Sequence, residues 1–174
     1  MTQTRLVIEP LGSHHDRATF SCAVDALDTY IRTIARQDMK RSVAAVFVGT
    51  FADIPSTIVG YYSLSSFSIL TQDLPPAITK HLPRYPVIPA VLLGRLAVDR
   101  RFSGKGYGSL LLMSALRRSL EHSREIAATG VIVDAIDEQA ATFYEHHDFQ
   151  RLPGHSSRLF LQMSTIANLI DTSV

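Results

Sequence analysis

The sequence predicts a mixed α/β fold, and three observations carry the prediction. Stretches with the period of an amphipathic helix alternate with short apolar runs of strand character along the chain. An apolar run at 91–98 leads straight into a glycine-rich turn and then into a long amphipathic helix. The 174 residues, 46% apolar and 19% charged, suffice for one core of ordinary size, so a single domain over 1–174 is expected.

The run Leu6 to Leu11 reads as a short strand ended by Pro10 and a Gly12–Ser13 turn. From Ala26 to Arg41, Leu27, Tyr30, Ile31 and Ile34 recur at helical spacing, with Asp25 placed to cap the helix. Arg32, Arg36 and Lys40 lie four residues apart on its other side, with Arg41 beside them. Strand character resumes over Val43–Phe51 and Ser56–Leu70, around a Pro55 turn. Five prolines between Thr71 and Pro89 point to a long ordered loop with at most one short helical turn, a kind of segment that tends to carry function. Val91–Val98 suits a strand in the middle of the sheet. Beyond the glycine turn, Ser109–Arg124 reads as a helix, with Gly130 as its stop. Val131–Ala135 is the next strand, Asp137 caps a helix over Glu138–His147, and Arg158–Met163 makes a final strand.

Composition excludes several classes. A net charge of +1 and a pI near 8.0 do not describe a bulk nucleic-acid coat, so an anionic partner must meet a local patch. Cys22 is the one cysteine, which excludes an intrachain disulfide framework and a cysteine zinc cluster and fits a reducing cytoplasm. Met1–Pro10 lacks the pattern of a secretory signal, and no apolar stretch approaches the ~18 residues of a membrane span. The histidines show no ligand spacing supported by other groups, so no metal is expected.

The segment Arg101-Phe102-Ser103-Gly104-Lys105-Gly106-Tyr107-Gly108 sits between a strand and a helix N-terminus, where unpaired amides and the helix dipole favour an anion. Glycines let the backbone approach that anion and supply positive φ values. The spacing fits neither a P-loop, which needs a longer loop ending in Lys-Ser/Thr, nor a dinucleotide fingerprint, which opens a βαβ unit. A sharp turn without a ligand is the bland alternative.

Arg101, Gly104 and Gly106 match the Gln/Arg-x-x-Gly-x-Gly/Ala signature, and on these residues the chain resembles the GCN5-related N-acetyltransferase (GNAT) superfamily. The stretch Asp137 to Phe149 looks like the superfamily's Asn-x-x-Ala-x-x-x-Tyr-x-x-x-Gly-Phe segment, departing at Asp137 and Asp148. The resemblance implies a central, mixed and mostly antiparallel twisted sheet of six to seven strands flanked by helices. It implies acetyl-CoA as cofactor, its pyrophosphate on the amides of Arg101, Phe102, Ser103, Gly104, Lys105, Gly106, Tyr107 and Gly108. Leu96, Ala97 and Val98 are then expected to bind pantetheine through their backbone, with Asp137 and Phe143 completing the cofactor site. Tyr144, which by pattern alone is a core-facing helix tyrosine, becomes the acid that protonates the departing thiolate. Glu145, His146 and His147 stand near it, but none declares itself as a base.

Leu11-Gly12, Phe20-Ser21-Cys22, Leu27-Asp28, Ala35-Arg36-Gln37, the proline loop, Leu93 to Asp99 and Phe143-Tyr144-Glu145 together resemble the acetyltransferase toxins of bacterial toxin–antitoxin pairs. This implies a cytoplasmic enzyme that acetylates the amine of aminoacyl-tRNA, a ribbon-helix-helix antitoxin and a homodimer. Arg32, Arg36, Lys40 and Arg41, joined by Arg84 and Arg95, then form a track for tRNA phosphates. On pattern alone the same cations are a solvated face. Two other readings keep the cofactor: transfer to a small amine or protein N-terminus, and a non-catalytic acyl-CoA-binding regulator.

Overall fold

The computed structural model of the chain describes residues 5–172, so the first four residues of the N-terminal segment lie outside it. The strands are β1 (Leu6–Pro10), β2 (Ala45–Phe51), β3 (Gly60–Leu70), β4 (Val87–Val98), β5 (Gly130–Asp134), β6 (Gln150–Arg151) and β7 (Arg158–Gln162). They form a seven-stranded sheet in the order β1-β2-β3-β4-β5-β7-β6. The pairs β1/β2, β2/β3, β5/β7 and β6/β7 are antiparallel, whereas β4 and β5 run parallel. The helices are α1 (Asp25–Thr29), α2 (Ala35–Lys40), α3 (Pro76–Thr79), α4 (Tyr107–Ser123), α5 (Glu138–His146) and α6 (Met163–Asp171). The fold is the expected mixed α/β architecture, and no described helix is long and apolar enough to cross a membrane.

Two compact units divide the chain. One comprises the residues up to Ser65 together with Gly94–Ala115. Its core gathers Phe20, Tyr30, Ile31, Val46, Val48, Ile58 and Tyr61, all essentially fully buried. Buried tyrosines need partners for their hydroxyls, and here Tyr61 donates to the Leu27 carbonyl at 2.7 Å and Tyr30 to Asp38 at 3.0 Å. Gly60 belongs to the close packing of this core: a Cβ there would lie 2.5 Å from Leu111 and 2.7 Å from the Ala97 carbonyl.

The basic helix differs from the sequence reading in two ways. Asp25 is its first helical residue rather than its cap, which is Val24. Asp28 does the local bonding instead, accepting from the Cys22 amide at 2.8 Å. Between α1 and α2, Tyr30–Ile34 winds as a π-turn.

The second unit comprises Ser66–Leu93 and the residues from Leu116 onward. Ile69, Leu74, Ile78, Ile88, Ala90, Ile132, Leu152 and Phe160 make its core. The proline loop contains a 3₁₀ turn at Thr71–Asp73 and the single helical turn α3, with Pro76 at a helix start where its missing N–H costs nothing. β4 begins at Val87, earlier than expected, and runs through Pro89, whose carbonyl accepts from the amide and hydroxyl of Thr129 at 2.9 and 2.7 Å.

Gly130 opens β5 rather than stopping a helix, since α4 ends at Ser123. A Cβ at Gly130 would stand 2.4 Å from the Leu161 carbonyl. β3 starts at Gly60 rather than Ser56, α4 starts at Tyr107 rather than Ser109, and β6 and α6 have no counterpart among the elements the sequence predicts.

Candidate active site

In the first unit the glycine turn is built on one carboxylate. Asp99 is 1% exposed and accepts from the Ser21 amide (3.1 Å), the Arg101 amide (2.9 Å), and the Arg101 Nε (2.9 Å) and Nη2 (3.0 Å). The Ser21 carbonyl accepts in return from the Arg100 amide at 2.9 Å. Burial alone raises the Asp99 carboxyl; the Arg101 guanidinium and the two amides outweigh it and hold the group below the usual carboxylate range. Arg101 therefore serves first as a clamp on the turn. Motif spacing alone does not single out its partner Asp99, although an acid two residues before an arginine at a strand end is a local capping signal.

Phe102 and Tyr107 stand at the two ends of the turn, and both rings pack edge-on against Phe51, at 5.6 and 5.4 Å between centroids. The Phe102 amide donates to the Asp99 carbonyl at 2.9 Å. The next backbone donor with a protein acceptor is Leu110, bonded to the Gly106 carbonyl at 3.2 Å. Among the described residues, then, the amides of Ser103, Gly104, Lys105, Gly106, Tyr107, Gly108 and Ser109 have no protein acceptor. Gly104 and Gly106 take φ of +75° and +84°, which L side chains rarely adopt. A Cβ on either would meet nothing within 4 Å, so the space before both is open. Consecutive free N–H groups, an open approach and the positive end of a 17-residue helix make a site that fits a pyrophosphate.

Leu96, Ala97 and Val98 occupy the end of β4. The β4–β5 ladder pairs Val91, Leu92 and Leu93 with Val131, Ile132 and Val133, and no further pair follows among the described residues. The Leu96–Val98 edge thus keeps backbone groups that suit an amide-containing chain such as pantetheine.

In the second unit Asp137 caps α5, its Oδ1 accepting from the Ala140 amide at 2.7 Å. That contact is the ordinary work of an Asp N-cap. The C-terminal end closes with Phe149 N–H donating to the Tyr144 carbonyl (3.2 Å) and Asp148 N–H to Glu145 (3.1 Å), the Schellman pattern. Asp148 adopts φ +70° there, which explains why the superfamily pattern has glycine at this position. Arg151 ties the helix lengthwise, bonding both Glu138 and Glu145.

Tyr144 is buried between Phe143 and Phe149, at 5.2 and 5.4 Å. Burial pushes its phenol well above the ordinary tyrosine value. Tyr30, Tyr61 and Tyr62 are also buried and each engages its hydroxyl, but among the described residues the Tyr144 hydroxyl has no partner. Among the described residues no sealed side-chain oxygen or nitrogen lacks a bond, so this phenol oxygen keeps an opening to the surface. Of the neighbouring candidate bases, Glu145 is held by Arg151 and His147 Nδ1 sits 2.9 Å from the Phe143 carbonyl; His146 is exposed.

The proposed phosphate track separates into groups. Arg36, Lys40 and Arg41 are exposed and have no side-chain partner among the described residues. Arg32 donates to the Phe20 carbonyl, and Arg95 lies 3.6 Å over the Tyr30 ring, so both serve the core they border. Arg84 is exposed on the proline loop of the other unit.

Glu9, His14 and His15 bring three ligand atoms within 4.8 Å of one another. Yet His15 Nδ1 accepts from the Gly12 amide at 2.9 Å, which puts the ring proton on Nε2, 2.8 Å from Glu9. A cation at Nε2 would force that proton to Nδ1, facing another donor. The cluster is a clasp for the turn after β1.

The Acetyltransferase (GNAT) domain family matches residues 46–151. A probable TacT toxin of Sinorhizobium fredii is 33% identical, covering 94% of both chains. A tRNA-acetylating toxin of Mycobacterium tuberculosis is 34% identical over 89% of this chain and 90% of its own. Among solved structures, a tyrosine-to-phenylalanine mutant of KacT superposes with a TM-score of 0.90 at 28% identity, covering 96% of this chain and 99% of that one. AtaT complexed with acetyl-methionyl-tRNAfMet gives 0.88 at 29%, covering 95% and 99%. An AtaT mutant bound to acetyl-CoA and the C-terminus of its antitoxin AtaR gives 0.79 at 25%, covering 95% and 98%. With a family match over more than half its length and two such relatives, this chain belongs to the GNAT acetyltransferases.

Proposed function

We propose that the chain is an acetyl-CoA-dependent toxin that acetylates the α-amine of an aminoacyl-tRNA, the whole chain acting as one catalytic domain. One observation carries the chemistry: among four buried tyrosines, Tyr144 alone engages its hydroxyl with no other described residue. The substrate class rests on likeness to the tRNA-acetylating toxin and to AtaT with its acetylated tRNA.

Bound acetyl-CoA supplies the acetyl group as a thioester. The amides from Ser103 to Gly108, with the Lys105 ammonium, hold its pyrophosphate, and the Leu96–Val98 backbone holds the pantetheine. Tyr144 keeps its proton at neutral pH, because burial favours the neutral phenol. Its Oη passes that proton to the departing sulfur, whose conjugate thiol has a pKa of about 8.5. An α-amine has a pKa of about 8, far below the ~10.4 of lysine, so a useful fraction is neutral without a strong base. This agrees with the absence of an unengaged carboxylate beside Tyr144 on α5.

Arg36, Lys40 and Arg41 meet tRNA phosphates, with Arg84 on the proline loop. An antitoxin of the ribbon-helix-helix type restrains the enzyme in the cytoplasm, and the toxin forms a homodimer. Labelled acetyl-CoA incubated with the purified chain and a charged tRNA pool tests the reading. Label on the amino acid of a charged tRNA is the expected result; label on free amines or protein N-termini alone would move the enzyme to another substrate class.

A further inference from the structure

Around Arg84 the proline loop carries an aromatic surface to which the reading above gives no role. Leu82, Pro83, Tyr85 and Pro86 line a largely apolar groove of about 570 Å³, together with Lys80 and Arg84. Tyr85 is 64% exposed, and among the described residues no other ring or cation covers its face. Its backbone is nonetheless fixed: Thr71 Oγ1 donates to the Tyr85 carbonyl at 2.5 Å, and the Thr71 amide donates to the Pro86 carbonyl at 3.0 Å. Pro83 and Pro86 restrict φ on either side. Lys80 and Arg84 have no acidic partner among the described residues, and no carboxylate lines the groove.

An uncovered aromatic ring on an anchored backbone, beside two unpaired cations, suits a base and its phosphate. Pro83, Arg84, Tyr85 and Pro86 are all exposed, so the surface is a platform for a flat π-system rather than a socket for a peptide side chain. We infer that Tyr85, with Lys80 and Arg84, stacks one unpaired base of the single-stranded 3′ end of the tRNA substrate. This rests on the aminoacyl-tRNA reading, which supplies a single-stranded end next to the reacting amine.

The test compares the purified wild-type chain with Tyr85→Ala, Tyr85→Phe and Tyr85→Trp. Each is titrated with uncharged tRNA carrying its unpaired 3′ nucleotides and with the same tRNA trimmed of them, and KM and kcat are measured on charged tRNA. Losing one stacked base is expected to weaken binding of intact tRNA about tenfold and raise KM in step while kcat holds. Trimmed tRNA should bind wild type and Tyr85→Ala alike, and Phe or Trp should keep near-wild-type affinity. The platform is overturned if Tyr85→Ala binds intact tRNA as wild type does, if trimmed tRNA suffers equally, or if Phe loses as much as Ala. It is overturned equally if Tyr85→Ala impairs only the capture of an antitoxin peptide. Wild-type chain that neither binds nor acetylates charged tRNA would instead remove the parent reading, a result distinguishable before any variant is made.

Discussion

Replacing Asp99 with alanine tests whether the glycine turn is held by a buried carboxylate. The substitution leaves the Ser21 and Arg101 amides without their acceptor, and a stranded donor costs about 1–3 kcal/mol. The Arg101 guanidinium is about half exposed at 49%, so water replaces its partner and the ion pair adds only ~0–1 kcal/mol. The expected loss is therefore about 3 kcal/mol, a fall of roughly 1.5 M in urea midpoint for an m-value of about 2 kcal/mol/M. Urea titration by far-UV circular dichroism, with acetyl-CoA affinity by calorimetry, measures both consequences; cofactor binding should weaken by at least tenfold as the turn loosens. The pH dependence follows from the sign of the shift. The folded Asp99 carboxyl titrates lower than the unfolded one, so its stabilisation is complete above the unfolded value near 4 and disappears as pH falls through the folded value. Asp99→Ala should lack that part of the acid-induced loss. A variant with wild-type midpoint, wild-type acid profile and wild-type affinity for acetyl-CoA would refute the clamp.

Gly106→Ala places a Cβ on a residue at φ +84°, which costs about 1–2 kcal/mol, and acetyl-CoA affinity should fall while the sheet stays intact by circular dichroism. Asp137→Ala removes the α5 cap at about 1 kcal/mol, measurable as a small drop in urea midpoint; an unchanged midpoint would contradict the capping role. Charge reversal at Arg36 and Lys40 together should weaken tRNA binding and flatten its salt dependence, whereas filter binding indifferent to both would place the phosphate track elsewhere.

The sequence disclosed the elements whose periodicity is long and whose punctuation is chemical. The amphipathic stretch after the glycines became α4, Asp137 became the cap it resembles, and the five prolines confined the loop to one short helical turn. What escaped depends on tertiary contact. β6 has two residues and exists because Gln150 and Arg151 find β7. α6 has no side-chain cap to announce it. Gly130 reads as a helix stop in one dimension, yet its reason is the Leu161 carbonyl 31 residues later, 2.4 Å from where a Cβ would stand. The same holds at the site. The glycines stand out by their spacing and Tyr144 only through the superfamily resemblance, whereas Asp99 reaches Ser21 across 78 residues, and that separation has no signature in sequence. The π-turn after Thr29 likewise has no signature in the helical spacing of the apolar residues.

The most direct measurement is single-turnover acetyl transfer by Tyr144→Phe at saturating acetyl-CoA, against wild type across pH. Removing one oxygen that bonds to no other described residue should leave folding and cofactor affinity unchanged while slowing transfer by about a hundredfold or more, within the range for general acid catalysis. Transfer at the wild-type rate with normal acetyl-CoA binding would show that the phenol at 144 is a core residue and that the proton comes from elsewhere.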